Sequence, residues 1–557
     1  MHNFDWKLAV SGDAATVVQF RGGTIRFQKN GNAWQLHGAD RYDYQLINTG
    51  NTYQFLDPAT NLIYSFGTNG SLTQIADRNG NALVVTQGQF GPTQVSDGLG
   101  RTLIFTYTAD GKLSAVQDQT NRMVSFSYTG SDLTGVTDPN GKVTSFSYTS
   151  TPPLVGLMTK IVRPAGNTPL SQTFDQNGRV VSQTDGLGKT THLQYSTTQL
   201  GTATQVDPFG NMTVNQHASL VDFTASTDSA GQNSSYSYDA SNRMTTAVDH
   251  IGATRTATYH NPSGYFASLT DPNGKATTFT YAAQSQGGFT FYNLAGITYP
   301  DGSSISYTCD TNGNRLTSND AFGKVRTYTY NARGQALSFA NEVGGATSYS
   351  YNADGTLASL ITPARDMTTY GYDQQKRVVR IQYPDGSVRS FAYDTNDRIV
   401  TFIDERSKPL SVAYTGNGTL QTITDALNQS TSFTHDANDN VTGVTDPTGG
   451  ATGYQYNAVS LASTLSAPAG ETRNFSYDSL NRMTAISDAT GPLLKVGYDA
   501  DGNVTSVADG LSRATQFTLD SLGRVTGVTT PLGRAYGRTL DSVGRVTSIT
   551  GSAFTNG

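Results

Sequence analysis

The chain has 557 residues, enough for about three or four ordinary domains, yet charged residues make up only 14% against about 25% in a typical soluble protein. A net charge of −6 and a pI of about 5.6 leave no basic footprint for nucleic acid or an anionic membrane surface, and the single cysteine, Cys309, excludes an intramolecular disulfide framework and any thiolate metal cluster. With 10% aromatics the chain is too rich in rings to be disordered, and its Gly, Ser, Thr, Asn and Tyr favour β-strands joined by frequent tight turns.

The opening MHNFDWKLAVSGD sets Asp5 and Lys7 where a secretory signal would have its apolar stretch, and no run of about 18 apolar residues follows anywhere. Neither a Sec signal peptide nor a transmembrane segment is expected. Residues 1–56 hold Trp6, Phe20, Phe27, Trp34, Tyr42 and Tyr44 in β-like runs and read as an N-terminal β-rich cap over the first sheet edge. From a degenerate unit at Asp57, a repeat region extends over 57–551, followed by a tail, 552–557. Its 22 clear units start at anchors, mostly Asp, that run from Asp77 to Thr530 at spacings mostly of 20–22.

Ten residues after most anchors stands a Tyr, and half of the 30 tyrosines occupy this slot, among them Tyr128, Tyr148, Tyr238, Tyr393 and Tyr498. A second aromatic often lies two residues earlier, as Phe126, Phe146 and Tyr236 do, which is the period of a strand with one face to a core. A strand is therefore expected to centre on each slot. A polar loop follows (DASNR, DTNDR, DSLNR), then a second β-rich run, then a turn such as DPNG at 138–141, where Pro and Gly suit type I geometry. In the second run Val441 and Val444, or Met483 and Ile486, stand three apart, which predicts a bulge. The fold class expected is all-β, a long antiparallel meander of about 22 hairpins. A parallel β-helix has coils of similar length but does not need a hairpin loop after each strand. Two units are expanded, at 149–163 and 282–300, and read as surface loops or small local plugs.

YDSLNRMTAISD at 477–488, YDASNRMTTAVD at 238–249, YDTNDRIVTFID at 393–404 and LDSLGRVTGVTT at 519–530 resemble the repeats of the RHS, or YD-repeat, family. That resemblance implies a hairpin strip spiralling into a hollow shell, as in bacterial polymorphic toxins, insecticidal toxin complexes and teneurins. It implies a secreted or cell-surface setting, and as partner a toxin domain or another shell-completing protein. The repeats run to SVGRVTSITGSAFTNG, so neither the family's core module nor a C-terminal toxin is expected in this chain.

A search for chemistry finds neither HExxH nor GxSxG, and Gly188-Lys189-Thr190 lacks the leading Gly of a phosphate loop. His217, His435 and Cys309 fall in the Tyr slot, which assigns them to packing. The loops at 436–440 and 499–503 begin like calcium loops but carry Val441 and Val504 where the Gly belongs. No catalytic, cofactor-binding or metal-ligating residue is assigned, no cofactor is called for, and the chain reads as no enzyme. Asn211, Asn417 and Asn503 head Asn-x-Ser/Thr patterns that imply glycosylation only in a eukaryotic secretory setting.

At about 4.8 Å per strand the strip would be roughly 210 Å long and roughly 20 Å wide, and strand twist makes it coil. Closed on itself it would have a radius of about 18 Å and a lumen of roughly 10 Å, short of the roughly 17 Å that a folded 100-residue cargo needs. An open or narrow spiral is expected, completed by more chain, a partner or a second copy. Two functions compete: a structural shell segment without an active site, and a binding module whose outer face or inserts hold glycans or a cell-surface protein.

Overall fold

The computed structural model describes residues 4–38, 40–50, 52–199, 201–218 and 222–551. Among them are 52 strands and no helix, numbered in chain order. The first four, β1 (Lys7–Ser11), β2 (Ala14–Val18), β3 (Thr24–Asn30) and β4 (Ala33–Leu36), make a small antiparallel sheet. From β5 (Gln45–Asn48) to β52 (Val546–Gly551) each strand pairs antiparallel with its chain neighbours, which excludes the parallel coil. The end strands β5 and β52 pair only with β6 (Tyr53–Asp57) and with Ala535–Leu540, so the sheet stays open. From Ala82–Gln87 onward there are 44 strands, two for each of the 22 repeats.

The turns are made as their residues require. At DPNG the amide of Gly141 donates to the Asp138 carbonyl at 2.9 Å, and Gly141 sits at φ 75°, where a side chain would be strained. The bulge expected in the second strand recurs in nearly every hairpin. Ser127 pairs with Gly135 and Tyr128 with Leu133, leaving Thr134 as the extra residue. One expectation shifts: strands end on the slot rather than centre on it, as Val143–Tyr148 and Ala346–Tyr351 do. The ladder to the next hairpin stops at the bulge, so the slot lies where pairing runs out.

The meander is a wall one sheet thick. Its surface is 30156 Å², where a compact monomer of 59.4 kDa would show about 19,000 Å². Among the described residues beyond Ala115 the only buried hydrophobic side chains are Phe289 and Phe291. The slot tyrosines are half-buried on one face, while Ser, Thr and Gly line the other.

The strip coils. Hydrogen bonds across the seam join residues 244 to 277 positions apart, such as Ser521 to Asn273 and Asn396 to Asp138. One coil thus takes about twelve units, or about 24 strands, which gives a radius of about 18 Å. In the resulting seam the turns between units of the first coil meet the loops after the Tyr of the second.

Among the described residues the larger of two buried clusters lies at the N-terminal end. Trp6, Leu8, Val17, Ile25 and Phe27 of the small sheet pack on Phe55, Tyr64, Phe66, Val85 and Phe105 of the meander, with Trp6 stacked on Tyr64 at 4.1 Å. The 282–300 segment is no loop. It continues strands Ala276–Gln286 and Phe289–Thr298 as a long hairpin whose tip, Phe289 and Phe291, packs on Leu56. Arg78 binds it through Gln284, Gln286 and Asn293, with its guanidinium 4.1 Å from the centre of the Phe291 ring.

Candidate functional site

The bulge leaves a backbone carbonyl without a ladder partner, and a buried acceptor of this kind needs a donor. The slot Tyr of the next unit supplies it. Its hydroxyl donates to the carbonyl fifteen residues back: Tyr128 to Leu113, Tyr148 to Leu133, Tyr393 to Val378, Tyr414 to Ile399, each at 2.7 to 2.9 Å. Where the slot holds no Tyr, another donor does the same work. Gln87 Nε2 reaches the Leu72 carbonyl at 2.6 Å, and beside Phe174 the Gln172 amide reaches Met158 at 2.7 Å. Beside Leu540, Arg538 takes the Val525 carbonyl.

The Asp after the Tyr holds the loop. Asp239 Oδ1 accepts the amides of Ser241 and Arg243, and Oδ2 accepts Arg243 Nε at 2.8 Å. The same guanidinium lies 4.6 Å over the next slot ring, Tyr259, and Arg377, Arg398 and Arg482 repeat the arrangement over Tyr393, Tyr414 and Tyr498. Tyr, Asp and Arg thus link each unit to both neighbours. Partial burial would raise the carboxyls of Asp239, Asp394, Asp478 and Asp520, but the amides and guanidinium of the loop hold them below the usual range. Carboxylates so lowered stabilise the fold above their unfolded value of about 4, and that contribution is lost as pH falls through their folded values.

The RHS Repeat family model matches residues 351–388, 414–451 and 498–535, and the Teneurin YD-shell model matches 48–166. The matched segments are RHS, or YD, repeats. No curated protein matches it by sequence. A crystal structure of TcdB2-TccC3 aligns over 99% of this chain and 40% of its own length, at 12% identity and a TM-score of 0.45. A Photorhabdus luminescens Tc holotoxin pore aligns over 95% and 34%, at 12% identity and a TM-score of 0.44. The chain therefore spans less than half the length of the solved structures it matches.

The seam between coils is polar and specific. Asn438 of a YD loop donates from Nδ2 to Asp185 Oδ2 and accepts the Gly186 amide on Oδ1, both at 2.7 Å. A Cβ on Gly186 would stand 2.3 Å from the Ala437 carbonyl, so the approach demands glycine. Asn417 accepts the Ala165 amide at 3.0 Å, and Arg163 pairs with Asp439. The side chains of the calcium-like loop at 436–440 are thus turned to the loop itself and to the seam. Among the described residues no group of three or more His, Cys, Asp or Glu is placed to hold a metal.

At another seam point Asp501 accepts the His250 amide at 3.1 Å, with Asp249 beside it. Burial and the Asp249 carboxylate raise Asp501, so its ionised form opposes folding. The stability linked to this group is present below the unfolded value of about 4 and lost as pH rises through the folded one. Asp501→Asn should slow amide exchange in strand Val504–Asp509 at pH 7, and the gain should vanish near pH 3 in paired exchange measurements.

The slot substitutes separate. His435 is half-buried, and its slot faces the bulged Tyr414–Leu420 hairpin, so His435→Tyr sets a hydroxyl opposite the Leu420 carbonyl. A gain of about 1 kcal/mol is expected, read as a higher urea midpoint for local opening of strand Ser430–His435. His217, assigned to packing from the sequence, is exposed, and the hairpin before it has no bulge: Gln194 pairs with Thr204 and Tyr195 with Ala203 with no residue skipped, and the Thr202 carbonyl accepts the Ser196 amide at 3.0 Å. No carbonyl gap exists there, and His217→Tyr should gain nothing. Cys309 is half-buried, which raises its thiol.

Where residues 41–42 cross three successive slots, a cleft of about 590 Å³ opens, lined by Tyr42, Tyr238, Tyr259, Tyr265, Tyr281 and Arg41.

Proposed function

We propose that this chain is a non-enzymatic wall segment of a secreted shell that encloses a polypeptide cargo. One observation carries the reading: a single-layer sheet of about 24 strands per coil whose surface exceeds that of a compact protein by roughly half. A closed barrel of 16–22 strands already surrounds a channel or a plugged lumen, so a coil this wide has room inside. The slot face is the more occluded of the two, as side chains on a concave surface are. Residues 1–56 would then close one mouth of the spiral. Two coils give a lumen of roughly 10 Å radius, enough for an extended chain and too little for a folded 100-residue domain. A toxin domain as cargo and a shell-completing protein as partner follow from this reading.

A cryo-electron microscopy reconstruction of the chain tests it. A central void about 20 Å across is expected. Uniformly filled density, or a flat strip, would overturn it.

The tyrosine-lined cleft supports a second reading, a site for glycans, since stacked rings beside Arg41 suit a sugar face and its hydroxyls. Calorimetric titration with neutral and acidic oligosaccharides, against Tyr259→Ala, tests that reading.

A further inference from the structure

The unit that begins at Asp249 departs from the repeat where the tyrosine-lined cleft opens. Its loop after Tyr259 reads HNPSGY, one residue longer than the DASNR after Tyr238, with His260 in place of the Asp and Tyr265 where Arg243 stands one unit earlier. Tyr281 therefore has the rings of Tyr265 and His260 beside it, at 5.3 and 5.1 Å, instead of a guanidinium. The same loop seats the crossing segment: a Cβ on Gly264 would stand 2.0 Å from the Arg41 carbonyl, and the Tyr42 and Tyr265 rings pack with centres 6.1 Å apart.

Three kinds of chemistry meet in the cleft. The hydroxyls of Tyr238, Tyr259 and Tyr281 donate to the carbonyls of Phe223, Met244 and Phe266, and that of Tyr265 donates to Pro58, at 2.6 to 2.9 Å. With their protons committed, these oxygens can only accept from a ligand. Met244 and Phe266 are 41% and 43% exposed, whereas their counterparts Leu133, Leu357 and Val378 are half-buried. Arg41 is exposed, and among the described residues its guanidinium pairs with no carboxylate. Burial and the Asp239 carboxylate raise the Tyr259 phenol while the guanidinium groups of Arg243 and Arg41 draw it down, which places the Arg41 charge within reach of that ring.

We infer that the cleft binds an N-acylated acidic sugar, with its carboxylate on Arg41, its acyl methyl on Met244 and Phe266, and its ring on the face of a slot tyrosine. This inference rests on the glycan reading of the cleft and narrows it. A neutral sugar would leave the unpaired Arg41 unused and set hydroxyls against two exposed apolar side chains. An acidic peptide with an apolar aromatic anchor would use the cation and the rings, yet neither its ring nor its carboxylate donates to phenol oxygens that can only accept. A sugar with a carboxylate, an acetamido group and free hydroxyls brings charge for the guanidinium, a methyl for the apolar pair, and O–H and N–H donors for the phenols. Its C–H face packs on the electron-rich face of a tyrosine ring. At about 590 Å³ the cleft falls in the range of about 300–1,000 Å³ that small-ligand sites occupy.

The full chain is titrated calorimetrically with sialyllactose, lactose, glucuronic acid and N-acetylglucosamine. Sialyllactose is expected to bind about tenfold more tightly than lactose, with the two sugars that carry one feature each in between. Arg41→Gln should remove the advantage of sialyllactose and glucuronic acid but keep that of N-acetylglucosamine, and Arg41→Lys should retain most of it. Phe266→Ser should do the reverse of Arg41→Gln. Amide protection in strand Thr254–Tyr259 is expected to be the same in all three variants, and saturation-transfer NMR should find the acetyl methyl of sialyllactose nearest the protein. Equal affinities for sialyllactose and lactose, or an advantage that survives Arg41→Gln, would overturn the inference and leave the glycan reading standing. Absence of binding by every sugar would overturn both. Tighter binding of the dipeptide phenylalanyl-glutamate than of sialyllactose would overturn the inference by assigning the cleft to a polypeptide.

Discussion

Phe55→Ala is expected to cost about 3–5 kcal/mol, the largest loss from any single substitution considered, and to release the N-terminal sheet from the meander. Phe55 is fully buried, with Trp6, Phe27, Tyr44 and Tyr64 all within 6.2 Å between ring centres. Removing the ring takes away apolar burial and leaves a cavity that rigid strands on both sides cannot close. A chain whose units contact chiefly their neighbours does not unfold as one body, so a single melting temperature is the wrong reading. Hydrogen exchange is the right one. Amides of β1–β4 should lose protection while those of the distant strands 378–435 keep theirs. Equal loss along the chain would show that the N-terminal core holds the whole spiral.

The second large effect is expected from Tyr372→Phe, Tyr414→Phe and Tyr477→Phe combined. Each change keeps the ring and removes the hydroxyl that serves the carbonyls of Leu357, Ile399 and Ala462. A carbonyl left without a donor costs about 1–2 kcal/mol, and these slots are not adjacent, so the three should add to about 3–6 kcal/mol. A slot that worked by ring packing alone would lose almost nothing. Urea unfolding followed by exchange at strands 357–361, 399–403 and 462–466 separates the two outcomes. Burial also pushes up the pKa of Tyr372 and Tyr477, so a direct optical titration of the tyrosinate in the variants should lose the share of the late-ionising fraction that these two contribute.

Much of the fold is legible because its grammar is local. Asp138-Pro-Asn-Gly fixes a turn, alternation around Phe146 and Tyr148 fixes a strand, and the three-residue spacing of Val441 and Val444 exposes the bulge. The reason the slot holds Tyr was harder to read. The hydroxyl's acceptor lies in the preceding unit, and nothing in the alternation points to it; Gln87 in the same slot was the available clue, since Gln shares a donor with Tyr and no ring. The pairs Asn438–Asp185 and Arg163–Asp439 were out of reach. They depend on how many units one coil takes, which is set by twist accumulated over some 24 strands and leaves no local mark. The tip of the 282–300 hairpin was missed for the same reason, because its partner Leu56 lies a whole coil away. His217 failed differently: position in the repeat predicted its role, but the hairpin before it lacks the bulge that gives the slot its purpose.

The seam has a consequence for how such a chain can change length. Each first-coil turn meets a loop from about twelve units on, and both rows of teeth advance with the same spacing of about 21 residues. Loss or gain of one whole unit in the first coil slides every later loop onto the neighbouring turn, where a similar Asp, amide and small residue await it. Loss of half a unit sets strand ends against turns and inverts the faces of the sheet. The wall can therefore be lengthened or shortened only in quanta of one hairpin. Each step would exchange pairs such as Gly186 with Asn438 for less fitted ones, so phase between the coils, more than the sequence of any single unit, is what selection on this architecture would have to guard.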